Sequence, residues 1–147
     1  MMSGNPIIPE ALSAVQEEQQ WLKCHELAER YGRQLTRQQF EALGKARQQA
    51  LEATGRLDFG GGVLDQLVYA FCDSPFVDDE DFAALLMEMQ ELFYTFRNET
   101  LDVLTDEELI SVMERLFNGE VQGALDYLAE VPPQRLVRFA LGQEGLD

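Results

Sequence analysis

Phe82-Ala83-Ala84-Leu85-Leu86-Met87-Glu88-Met89-Gln90-Glu91-Leu92-Phe93-Tyr94-Thr95-Phe96 is the stretch on which the fold turns. Phe82, Leu85, Leu86, Met89, Leu92, Phe93 and Phe96 recur every three or four residues, so they fall on one stripe of an α-helix. Asp78 or Asp79 is expected to cap it. Met87 and Tyr94 lie on the opposite side, with Ala83 and Ala84 beside them, where a surface helix should be polar. Two readings follow. Either the helix is central and buried on both sides, or the second stripe is a protein interface, where Met and Tyr are enriched.

The same periodicity continues outward. Downstream, Thr105 with Glu108 forms a capping box ahead of Leu109, Val112, Met113, Leu116 and Phe117, and Asn118-Gly119 predicts a left-handed stop. Two short helices are expected around residues 121–129 and 133–141, separated by Pro132-Pro133. Upstream, Leu64, Leu67, Val68 and Phe71 predict a helix that ends at Ser74-Pro75. Thr36 with Gln39 opens another, carrying Phe40, Leu43, Ala50 and Leu51 to Thr54-Gly55. Pro9 starts the first helix, and Cys24, Leu27, Ala28 and Tyr31 form its apolar face before Gly32; the Gln/Glu cluster at 16–20 leaves room for a break. Arg56 to Phe59 reads as briefly extended. No segment alternates with period two. The expectation is an all-α fold, a compact bundle of about six to seven helices with orthogonal or irregular packing and no substantial sheet. Residues 1–147 are expected to form a single helical domain, within the usual domain size.

Charge divides the chain near residue 57. Residues 1–56, read as an N-terminal helical hairpin, balance seven Lys/Arg against seven Asp/Glu. Residues 57–147 hold four Arg, no Lys and 20 acids, which accounts for the net −16. Such a body repels phosphate backbones and anionic membrane surfaces, so neither nucleic acid nor membrane is expected as a partner. Basic proteins and weakly held divalent cations remain compatible with it; simple solubility also explains it. Met1 to Ala14 lacks the basic and apolar regions of a signal peptide, and Phe82 to Met87 is too short an apolar run to span a bilayer. Cys24 and Cys72 sit in apolar helical patterns and read as reduced thiols. A cytoplasmic protein is expected.

Catalytic patterns fail one after another. His25 is the single histidine, so His25-Glu26-Leu27-Ala28-Glu29 lacks the second imidazole of a zinc-protease helix, and His25 reads as a boundary residue near Glu29. Glu88 and Glu91 lack the histidines of a two-metal bundle. The acidic run Asp73 to Asp81 places Pro75 and Val77 at ligand positions of a calcium loop and Ala84 at the twelfth. Asp58-Phe59-Gly60 copies a kinase tripeptide without its companions. No cofactor, metal site or catalytic residue is assigned, and the balance leans away from an enzyme.

Gly60-Gly61-Gly62, after Phe59 and leading into a helix, is different in kind. Three glycines carry a large ordering entropy, so either the backbone needs special angles there or something packs very close. It reads as a structural turn or as a place where a ligand or partner approaches, with Cys72 and Asp73 at the corner beyond the helix.

Thr54-Gly55-Arg56-Leu57-Asp58-Phe59-Gly60-Gly61-Gly62, Ala70-Phe71-Cys72-Asp73-Ser74-Pro75-Phe76 and Phe93-Tyr94-Thr95-Phe96-Arg97-Asn98-Glu99 together resemble a family of small bacterial proteins of unknown function, over about residues 26–129. The resemblance implies a bacterial cytosolic protein and supplies no activity, cofactor or catalytic residue. The incomplete catalytic patterns, the one-sided charge and the second apolar stripe at Met87 and Tyr94 lead to the function expected, contact with a protein partner or with a second copy. The alternatives are a small-molecule binder or enzyme with a pocket between the Gly60–Gly62 turn and the Cys72–Phe76 corner, or an acidic decoy for a basic protein.

Overall fold

The computed structural model describes residues 8–55 and 62–142, and within them the chain forms seven α-helices and no strand. They are α1 (Ile8–Arg30), α2 (Arg37–Ala53), α3 (Leu64–Phe71), α4 (Phe82–Glu99), α5 (Asp106–Asn118), α6 (Leu125–Ala129) and α7 (Pro133–Ala140), with one 3-10 turn at Asp79–Asp81. The all-helical expectation holds.

α4 is the hub, packed on α2, α3 and α5. Its long stripe buries Phe82, Leu85, Leu86, Met89, Phe93 and Phe96. The opposite side is enclosed in part, with Ala84 left exposed. Tyr94 is only 3% exposed, Ala83 is buried and Met87 is half-buried against the core. Gln90 is buried too, and its Nε2 donates to the Leu43 carbonyl of α2 at 2.8 Å, so a polar side chain rivets the two helices without an orphaned amide. α3 is short but central, touching α1, α4 and α5, while α6 and α7 cover α5. Phe71, Phe82, Phe93, Phe96 and Phe117 form the bulkiest part of the core.

Local chemistry explains the boundaries. Both capping boxes are formed: Gln39 N–H donates to Thr36 Oγ1 and Glu108 N–H to Thr105 Oγ1, each at 3.1 Å, while the N3 side chains accept from the cap amides. α1 ends at Gly32, whose N–H donates to Glu29 while that of Arg33 reaches Ala28.

Four boundaries differ from expectation. α1 runs unbroken through the Gln/Glu cluster, because those residues are good helix formers and Glu18 pairs with Arg37 of α2 at 2.9 Å. Asp78 caps the 3-10 turn and makes no side-chain capping bond, so α4 begins only at Phe82. Gly119 stops α5 at φ −108°, not in the left-handed region. The left-handed backbone comes later, at Gln122 (φ 48°) and Gly123 (φ 84°), and it delays α6 to Leu125. Arg56 to Gly61, including the segment read as extended, lies outside the described residues.

Candidate functional site

Of the residues singled out above, Phe59, Gly60 and Gly61 lie outside the described residues. Gly62 does not. Its φ is +84°, and a methyl group on it would lie 2.5 Å from Nε of Arg47. Both reasons for glycine apply there: the left-handed backbone and a close neighbour. Arg47 in turn donates from Nε to the Tyr94 hydroxyl at 3.1 Å. Gly62 and Tyr94 thus belong to one part-buried joint between the α3 entry, α2 and α4.

Cys72 and Asp73 stand at the other end of α3, about 12 Å along its axis, in a corner organised by Arg33. The Arg33 side chain is 9% exposed. Its Nε donates to the Cys72 carbonyl at 2.7 Å, Nη2 to the Ser74 carbonyl at 2.6 Å, and Nη1 to the Val77 carbonyl. Nη1 also lies 3.3 Å from the Asp79 carboxylate, and the guanidinium sits over the Phe82 ring. One planar fork therefore satisfies the carbonyls of a turn that has no helix or sheet to do so. Ser74 Oγ meets Asn118 Oδ1 at 2.6 Å, and Phe76 packs on Phe117 and over Gly123, where a methyl would come within 2.6 Å of the Phe76 Cβ. Here too the glycine is required by both angle and space.

Neither thiol has the setting of a nucleophile. Cys24 is buried and its pKa is pushed up to about 12, chiefly by burial and then by Asp65. Burial, followed by the charge of Asp73, also raises that of Cys72, whose Sγ donates to the Tyr69 carbonyl at 3.3 Å. His25 stacks on Trp21 at 4.8 Å and its Nε2 lies 3.6 Å from Glu29. Among the described residues, no group of three or more His, Cys, Asp or Glu is placed to hold a metal ion, and no helix is long and apolar enough to cross a membrane.

A groove of about 560 Å³ opens over the outer face of α3, between α1 and α5. α1 contributes Lys23 and Leu27, α3 contributes Asp65, Gln66, Tyr69 and Ala70, and α5 contributes Glu107, Ile110, Ser111 and Glu114. Gly62, Cys72, Asp73, Met87 and Tyr94 do not line it, so the pocket lies between the two expected ends of α3 but is built from other side chains. Leu27, Ala70 and Ile110 make an apolar strip; Tyr69 stands 71% exposed. Three carboxylates face one cation, Lys23, whose Nζ lies 3.1 Å from Asp65 Oδ2. Partial burial is the main reason the Glu114 pKa rises, and the nearby charge of Asp73 adds to it. Tyr69, a large ring off the Leu64/Leu67/Val68/Phe71 stripe, was the available hint in the sequence. That α1 and α5 flank it was not readable from spacing.

The model of DUF6323, a family of unknown function, matches residues 20–141. This chain belongs to that family. The match takes in every helix of the bundle, with α1 entering it at residue 20. Comparison with curated proteins finds no significant match, and neither does comparison with solved structures. The three phrases quoted from the sequence lie within the DUF6323 match, and the second of them, Ala70 to Phe76, runs from the groove's floor into the Arg33-braced corner.

Proposed function

We propose that this DUF6323 protein is a non-catalytic bacterial cytoplasmic protein that docks a basic amphipathic helix of a partner protein in the α1/α3/α5 groove. The observation that carries the reading is the apolar strip Leu27/Ala70/Ile110 beside an exposed Tyr69, rimmed by Asp65, Glu107 and Glu114. A trough with an apolar floor and charged rim matches how amphipathic helices are held. The α5 rim also sets a register. Glu107, Ile110 and Glu114 follow helical spacing, with the two acids about 10 Å apart along the axis, so a partner with basic residues one heptad apart around an aliphatic residue fits. The acidic 57–147 segment steers such a partner in and disfavours anionic ones. The buried, high-pKa Cys24 suits a compartment where thiols stay reduced.

The test is fluorescence anisotropy with a labelled helix-forming peptide carrying lysines one heptad apart around leucine, and an acidic counterpart as control. Only the basic peptide is expected to bind, with affinity falling as salt rises from low to moderate. Tyr69→Ser is expected to weaken it about tenfold. Binding that ignores both Tyr69→Ser and Glu107→Gln would place the peptide elsewhere and defeat the proposal.

A further inference from the structure

Lys23 is the one cation among the residues lining the groove, and residues 57–147 contain no lysine at all. It comes from α1 and crosses to Asp65 on α3, Nζ to Oδ2 at 3.1 Å. The two ends of this contact differ. The Lys23 side chain is 65% exposed and that of Asp65 22%. Asp65 is thus held in place by its helix and partly shielded, and it profits from a nearby cation. Lys23 is a flexible stem that regains full hydration by swinging out, and exposed lysine–carboxylate pairs are weak.

We infer that Lys23 is the groove's own competitor: its ammonium occupies Asp65 until a basic side chain of the docked helix takes that carboxylate. The inference rests on the docking reading above and adds a regulatory contact to it. A docking partner exchanges one ion pair for another at Asp65, so that position contributes little net attraction. Glu107 and Glu114, for which the lining offers no second cation, carry the charge-dependent part of the affinity, with Arg115 outside the lining offsetting part of the Glu114 charge. A partner without a basic residue opposite Asp65 leaves Lys23 where it is. The intramolecular pair thus lowers the weight of Asp65 in recognition relative to Glu107 and Glu114.

The sign of one substitution separates this from a bracing or partner-contacting lysine, either of which would lose affinity when Lys23 is neutralised. The same basic peptide is titrated into the unaltered protein, Lys23→Gln, Asp65→Asn, the double variant, and Lys45→Gln. Lys45 is an exposed lysine on α2 that does not line the groove, and its loss changes the net charge equally. Lys23→Gln is expected to tighten binding about threefold, with Lys45→Gln nearly unchanged. The gain should vanish when Asp65→Asn is already present. Equal effects of the two lysine variants, or weaker binding by Lys23→Gln, overturn the inference while the groove reading stands. No binding by any of the five proteins overturns both.

Discussion

The turn that follows α3 and the outward face of α3 adjoin in sequence and differ in almost every physical respect. In the turn, backbone carbonyls that no helix satisfies converge on Arg33, a serine hydroxyl finds Asn118, and Phe76 closes over a left-handed glycine. Those groups are paired or packed, although Phe76 keeps part of its ring in solvent. On the helix face, a tyrosine stands in solvent, three carboxylates line a groove whose one lysine pairs with Asp65, and a largely buried apolar strip floors it between two neighbouring helices. The contrast teaches where stability and binding are divided. An over-determined turn holds α3 at its C-terminal end, and that anchorage lets the exposed face carry chemistry that contributes little to folding.

The sharpest way to break the comparison is Arg33→Ala. Removing the fork strands several part-buried carbonyls at once, and the expected loss is about 3 kcal/mol, read as a lower urea midpoint. Arg33→Lys should recover only a minor share, since an ammonium cannot reach the same carbonyls in one plane. If Arg33→Ala costs as little as an ordinary surface change, the corner is not the anchor described.

A smaller effect is expected at Gly123→Ala. The added methyl meets Phe76 and must adopt φ +84°, for a cost of about 2 kcal/mol. Tyr69→Ser, made on the groove side, should leave stability within about 0.5 kcal/mol. Comparable losses from the two would erase the distinction between anchor and surface.

The smallest effect concerns Glu114. Its folded-state pKa is raised, so the contribution of this carboxyl to stability is full below the ordinary carboxylate range and is lost as pH rises through the raised value. Glu114→Gln should therefore raise Tm by about 1–2 °C at neutral pH, with the difference disappearing below pH 4.5, the ordinary value for this group. A gain that persists in acid would point to packing rather than charge.

Some of this was readable from residue spacing and some was not. The stripe from Phe82 to Phe96, the Thr36 and Thr105 capping boxes and the stops at Gly32 and Gly55 are local patterns, and each appears in the structure where the sequence puts it. The misplaced stop at Gly119 shows the limit: an Asn-Gly pair marks a break, but the left-handed turn sits at Gln122-Gly123, where Phe76, far away in sequence, packs against the glycine. Arg33 is the plainest case. Nothing near it in sequence reveals that it serves carbonyls some forty residues later.

Taken alone, the order of residues determined that the chain is helical, where most helices begin and end, and which part carries the negative charge, because those depend on neighbours within a turn or two and on simple counting. Which side chains meet was decided only in three dimensions. Lys23, Asp65, Tyr69 and Glu114 become one groove because α1 and α5 both pack against α3, and Tyr94 becomes core because α2 brings Arg47 over it. Contact between distant helices depends on the shape of whole faces, and periodicity within one helix carries no record of its neighbours.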